Sequence, residues 1–180
     1  MDETTGQLLN LLDEFGTRLH ALLTRITLRQ DAAEDLMQEL FLRLQHSEAF
    51  GHSSQPDRYL FRAAINLAFD WRRANCRPEI GSAFLDDEPV QPPAPIEGLI
   101  RSEELECILS ALEQLSNADR ELITLRYIEG EAHDDLAKRL GRTRHQVRAL
   151  CSKAIARLRR QVRRMTAECP EREVSDAHEP

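Results

Sequence analysis

Five of the eight prolines fall between residues 77 and 97, at Pro78, Pro89, Pro92, Pro93 and Pro95. Proline has no amide donor and pushes the residue before it out of helical geometry. Asp86, Asp87 and Glu88 add like-charge repulsion to the same stretch. The segment is predicted to stay extended and solvated, dividing the 180-residue chain into two short pieces. Each piece is long enough for one small core. Seven glycines and little β-branched alternation make both pieces helical, so the predicted class is all-α, two small helical domains joined by a Pro-rich linker.

Apolar periodicity fills in the helices. Leu8, Leu12, Phe15, Leu19, Leu22 and Ile26 form one face of a first helix. A second starts near Asp31, where acidic residues suit the positive helix end, and carries Leu36, Leu40 and Leu44. A third runs from about Asp57 to Asn75, with Leu60, Ala64, Leu67 and Trp71 inward. Beyond the linker the stripe resumes with Leu99, Leu105, Ile108, Leu112 and Leu115. Ser116–Asp119 caps a helix from Arg120 to about Ile128, which Glu129-Gly130 stops. A short helix over 132–140 ends at Gly141, and Thr143 with Gln146 reads as a capping box opening the last helix. That helix turns Val147, Cys151, Ala154, Leu158 and Val162 inward. The resulting organisation is a first domain over 1–76, a linker over 77–97, a second domain over 98–165 and a disordered acidic tail over 166–180.

The formal net charge of −7 argues against a nucleic-acid partner only if it is spread evenly. It is not: the four segments carry −3, −4, +4 and −4 in order, and residues 136–165 hold eleven Lys or Arg and no acid. Such a stretch can meet phosphate. Hydrophobic residues make up 41% of the chain, enough for packed cores. No apolar run is long enough for a membrane span, and the acidic Met1-Asp2-Glu3 start is unlike a signal sequence, so the chain is read as cytoplasmic. Cys76, Cys107, Cys151 and Cys169 are scattered without a C-x-x-C pair, so no disulfide framework, metal or cofactor is expected. The histidines show no H-x-x-x-H pairing, and no nucleophile elbow, P-loop or dinucleotide fingerprint occurs. An enzyme is therefore not expected.

Short helix, glycine turn and capped second helix over Ala132–Arg164 have the spacing of a helix-turn-helix, whose second helix enters the DNA major groove. Arg144, His145, Arg148, Ala149 and Ser152 lie opposite the apolar stripe, where arginine can read guanine edges. Arg142, Lys153, Arg157, Arg159 and Arg160 suit phosphate contacts. The pattern by itself does not separate a repressor, an activator and a promoter-recognition subunit.

Three blocks carry a family resemblance. Asp31-Ala32-Ala33-Glu34-Asp35-Leu36-Met37-Gln38-Glu39-Leu40-Phe41-Leu42-Arg43-Leu44 resembles the polymerase-binding helix of bacterial sigma factors of the extracytoplasmic-function group. Tyr59–Arg73 resembles the promoter-melting segment of their region two. Leu112–Ser116 with Arg120–Gly130 resembles the opening of region four, which the helix-turn-helix completes. The resemblance covers about residues 8–76 and 98–163, in family order and spacing.

The resemblance implies a non-catalytic specificity subunit that directs core RNA polymerase to promoters. Asp35, Gln38, Glu39 and Arg43 would dock on the polymerase. Arg62, Asn66, Asp70, Arg72 and Arg73 would meet the minus-ten DNA, with Asn66 near a flipped base and Phe61 or Trp71 offering it a stacking wall. Arg142, Thr143, Arg144, His145, Gln146, Arg148, Ala149, Ser152 and Lys153 would read the minus-thirty-five element. The implied partners are core RNA polymerase, promoter DNA and, as often in the family, an anti-sigma protein, with no membrane insertion. Where the family has an arginine in the recognition helix this chain has Leu150, which removes one DNA contact. The competing reading is a two-domain helix-turn-helix regulator that binds DNA alone.

Overall fold

The computed structural model describes residues 3–75 and 96–168. The linker reading therefore lies outside the described residues up to Pro95, and the tail reading does so from Cys169 on.

Four helices make the first module: α1 (Glu3–Thr27), α2 (Gln30–Gln45), α3 (Glu48–Gly51) and α4 (Pro56–Asn75). The α1–α2 corner is tight, with Leu28 in the left-handed region at φ 60° and its amide bonded to the Thr24 carbonyl at 2.8 Å. Helices α1, α2 and α4 pack against one another, because each presents its apolar stripe inward. Leu8, Leu19, Leu22, Ile26, Leu36, Leu40, Leu44, Leu60, Ala64 and Leu67 are all buried, as the periodicity predicts. The one-turn helix α3 lies inside the stretch read as a break; Ser47 caps it by accepting from the Phe50 amide at 3.2 Å, and Phe50 is buried.

The second module holds α5 (Ile96–Glu113), α6 (Asn117–Ile123), a π-helical turn (Thr124–Ile128), α7 (His133–Leu140) and α8 (Arg144–Glu168). Helix α8 is its spine, and α5, α6 and α7 all pack on it. Local chemistry sets the ends. Ser116 accepts from the Asp119 amide at 3.3 Å. Gly141 sits at φ 60°, which glycine adopts without a Cβ penalty. The Thr143–Gln146 box closes in both directions: the Gln146 amide donates to Thr143 Oγ1 at 3.3 Å, and the Thr143 amide to Gln146 Oε1 at 3.0 Å.

Three differences from the sequence reading have physical causes. Helix α5 begins at Ile96 and α8 runs to Glu168, so both helices continue past the segment boundaries drawn at 97 and 165. Leu105 and Ile108, read as inward, are each 42% exposed, whereas Leu109 and Leu112 are buried. Helix α5 is apolar on more than one side, and packing on α8 selects the face. Finally, the helix read as Arg120–Ile128 widens into the π turn after Ile123. There the Glu129 amide reaches the Thr124 carbonyl at 3.0 Å. With Gly130 at φ 74°, this turn swings Glu129 and Glu131 toward α1.

The two modules touch, and their buried apolar residues form one connected cluster from Leu8 to Ala154. Charged side chains dominate the seam. Arg18 reaches Glu129 and Glu131 at 3.5 and 3.3 Å, and Arg25 donates to the Ile128 carbonyl at 2.9 Å. Arg139 joins Glu131 at 3.0 Å. Phe61 lies between two guanidinium groups, Arg18 at 5.2 Å and Arg139 at 4.7 Å from its ring centre, a favourable cation–π arrangement.

Candidate functional site

The helix-turn-helix face is built as the sequence predicts. Val147, Cys151 and Ala154 are buried against the module, which leaves Arg142, Thr143, Arg144, His145, Gln146, Arg148, Ala149, Ser152 and Lys153 exposed on one end of α8. Arg144 leans on Asp134 of α7 at 3.4 Å. Both partners are mostly solvated, so the pair is weak and exchangeable. His133, at the start of α7, is held below the ordinary imidazole range by burial and by the charges of Arg126, Arg148 and Arg144. Other members of the basic stretch are already engaged, Lys138 with Asp135 at 3.8 Å among them. Arg157 grips Asp119 with two 2.8 Å bonds, and Arg139 is turned inward onto Phe61. The count of eleven cations thus overstates what faces solvent freely.

On the first module, Asp35, Gln38 and Arg43 are exposed along α2, and Glu39 is half-buried and paired with Arg43 one turn on. A groove of about 450 Å³ opens between α2 and α4. Its walls are Leu40, Arg43, Tyr59, Arg62, Ala63, Asn66, Leu67 and Asp70. The structure therefore joins Arg43, read as a polymerase contact, to Arg62, Asn66 and Asp70, read as DNA contacts. An apolar floor, an aromatic wall and an amide with a carboxylate suit the hydrogen-bonding edge of a single unstacked base. Phe61 is wholly buried behind α4 and offers no stacking face; Tyr59 is the aromatic on the groove. Trp71 is half-buried and packs on the core.

The remaining α4 cations differ in setting. Arg73 is exposed and paired with Asp70. Arg72 is fully buried, donating to the Ile26 carbonyl at 3.1 Å, to Glu113 at 2.8 Å and to Glu106. Burial works against its charge, but the hydrogen bonds it donates to Glu106 and Glu113 outweigh it and hold the guanidinium above its usual value. Sequence reasoning assigned Arg72 to a phosphate. In this arrangement its guanidinium is fully buried against Glu106 and Glu113, partners that leave no mark in the pattern of a single helix.

Other residues carry no sequence signal of their partnership. Glu121 of α6 lies 3.8 Å from both Arg58 and Arg62 of α4, and burial raises its carboxyl against the pull of Arg58, Arg62 and Arg139. Arg120, 2% exposed, donates to the carbonyls of Leu112, Glu113 and Leu115 at 3.1, 2.9 and 3.1 Å and lies 4.9 Å over the Phe69 ring.

Two helical modules, one with a groove between α2 and α4 and one with a basic helix-turn-helix, define a DNA-binding protein. The sigma-70 region 2 family pattern matches residues 11–77 and the sigma-70 region 4 pattern matches residues 105–158. The chain belongs to the sigma-70 family of RNA polymerase sigma factors, in its extracytoplasmic-function group. Sigma factors direct core RNA polymerase to promoters in transcription initiation and are generally non-enzymatic. The chain is 33% identical over 151 residues to the probable RNA polymerase sigma factor RfaY of Xanthomonas campestris pv. campestris, covering 79% of this chain and 37% of that one. It is 28% identical to the ECF RNA polymerase sigma factor SigX of Bacillus subtilis, over 96% of this chain and 91% of that one. Among solved structures, CnrH in complex with the cytosolic domain of CnrY is similar, with a TM-score of 0.45 and 22% identity over 92% of this chain and 89% of that chain. No helix among the described residues is long and apolar enough to cross a membrane.

Proposed function

We propose that this chain acts in the cytoplasm as a non-catalytic promoter-specificity subunit with three separate contact surfaces. The first domain, residues 1–76, binds core polymerase through Asp35, Gln38, Glu39 and Arg43 on α2. It holds an unstacked minus-ten base in the α2–α4 groove, against Asn66 and Asp70, with Arg62 and Arg73 on the strand's phosphates. Arg72 joins them when α5 is displaced. The second domain, residues 98–165, sets α8 in the major groove of the minus-thirty-five element. There Arg144, His145, Arg148, Ala149 and Ser152 face base edges, while Arg142 and Lys153 meet phosphates; Thr143 and Gln146 close the capping box that fixes the helix end. An anti-sigma protein is the natural regulatory partner for such surfaces.

The observation that carries this reading is the groove: it gathers Tyr59, Arg62, Asn66 and Asp70 over an apolar floor beside the exposed polar face of α2. The reading is tested with purified core polymerase. The chain should co-elute with it, Glu39→Lys should abolish co-elution, and Asn66→Ala should leave co-elution intact while impairing promoter opening. Tight operator binding without polymerase, indifferent to both substitutions, would overturn it.

A further inference from the structure

Helix α7 opens at His133, and arginines from two other elements are held on either side of that residue. Arg126, in the π turn, donates through Nη1 to the Glu131 carbonyl at 2.8 Å, two residues before it. Arg144, at the start of α8, reaches Asp134 at 3.4 Å, one residue after it. Arg148 follows Arg144 one turn along the same face of α8. Helix α7 packs on α8 and on the π turn. The charged groups that face His133 from those elements are these three arginines, with Asp134 beside it on α7. Asp134 is already engaged by Arg144, so positive charge prevails around a half-buried imidazole. Tyr127, 55% exposed, flanks the same corner with its ring centre 5.8 Å from the Arg126 guanidinium. Three cations and a titratable ring gathered at one corner are poorly matched without an anion.

We propose that this corner is a phosphate site: Arg126 and His133 hold a backbone phosphate of the promoter duplex beside the bases that α8 reads, and His133 takes one proton from solvent as the phosphate arrives. The proposal rests on the assignment of α8 to the minus-thirty-five element. In a helix-turn-helix the first helix crosses the DNA backbone while the second lies in the groove. The start of α7 therefore passes close to a phosphate once α8 is seated. In the free chain the three arginines disfavour the imidazolium. A phosphate reverses the sign of the field at that corner, and the imidazolium then donates a charge-assisted hydrogen bond to a phosphate oxygen. Binding is thereby coupled to protonation. The complex holds more protons than the separated partners, so affinity falls as pH rises. Neither Arg126 nor His133 reads a base, so the contact adds affinity on every sequence rather than choice among sequences.

The test uses the full chain and a fluorescein-labelled random-sequence duplex of about twenty base pairs, read by anisotropy at constant ionic strength. Random sequence suffices because a phosphate contact does not depend on the bases. The native chain should bind about fivefold more tightly at pH 6 than at pH 8. His133→Asn, which never carries a charge, should bind like the native chain at pH 8 and change by less than about twofold across that range. His145→Asn, on the reading face, should keep the fivefold change. Arg126→Gln should weaken binding and lower the slope of log affinity against log salt by about one. A pH response that survives in His133→Asn, or is absent from the native chain, would overturn the proposal; Lys153→Ala still weakening binding would then leave the assignment of α8 standing. Binding indifferent to Lys153→Ala would overturn that assignment and the proposal with it. A second measurement needs no variant. Calorimetric titration of the native chain with the same duplex at pH 7, in Pipes and in Tris, counts the protons exchanged, because the two buffers differ in heat of ionisation. Net uptake of about half a proton or more is expected; no uptake, or release, would contradict the coupling.

Discussion

Replacing Arg120 by alanine should unfold the second module far more readily than its single position in α6 suggests. The side chain is 2% exposed, and its guanidinium serves three backbone carbonyls at and just beyond the C-terminal end of α5, Leu112, Glu113 and Leu115. Burial holds its pKa below the usual value, with the nearby Arg73 charge adding to the effect, so the group is kept in place by these bonds despite its desolvation. A hydrogen bond involving a charged group contributes about 1.5–3 kcal/mol, and an abandoned buried acceptor costs about 1–3 kcal/mol. Three such bonds do not add fully, since water can reach some carbonyls once the side chain is gone. A loss of about 3–5 kcal/mol is expected, against a typical domain stability of about 5–15 kcal/mol. Urea unfolding followed by far-ultraviolet circular dichroism measures it. Arg120→Lys should recover less than half, because one ammonium cannot span three carbonyls as a planar fork does. A loss below about 1 kcal/mol for the alanine variant would refute the reasoning.

Further expectations follow from other sites. Arg148→Ala should reduce discrimination between promoter sequences by about 1–3 kcal/mol if it pairs with a base. Arg159→Ala should weaken binding about equally on all sequences and flatten the salt dependence. Equal effects of both on both readouts would sink that division. Glu121, whose carboxyl is raised by burial, favours the folded state most fully below about its ordinary value of 4.5, and that support is lost as pH rises through the raised value. Glu121→Gln should therefore leave stability at pH 7 unchanged or higher by on the order of 1 kcal/mol, and should flatten its pH dependence between pH 4 and 7; a marked loss at pH 7 would contradict this. Leu28, at φ 60° and 42% exposed, should gain about 0.5–1 kcal/mol when replaced by asparagine, which tolerates that conformation. Thermal unfolding checks it, and a drop in midpoint would count against it.

Periodic apolar residues and turn chemistry are local, and they were legible. The stripe from Leu8 to Ile26, the Gly141 turn and the Thr143–Gln146 box all stand in the structure as the residues predict. Which face of α8 is exposed was legible for the same reason, since Val147 and Cys151 fix which side is buried. What was not legible depends on partners far apart in the chain. Arg72 and Glu113 are 41 residues apart, and Arg18 and Glu131 are 113 apart. Each looks like an ordinary surface charge in its own helix. Leu105 and Ile108 misled because α5 has two apolar sides, and only contact with α8 decides between them. The π turn left no pattern, yet it places Glu129 and Glu131 on the seam. The charge count behaved similarly: the stretch without acids does mark α8, but Arg139 and Arg157 are committed to Glu131 and Asp119.

The central claim, that this chain confers promoter choice on RNA polymerase, is tested most directly by mapping transcript starts. Purified chain is added to core polymerase on fragmented genomic DNA, and the 5′ ends of the products are sequenced. Discrete starts should appear that share one minus-ten and one minus-thirty-five sequence, and Arg148→Ala should redistribute them. A pattern no different from that of core polymerase alone would contradict the account.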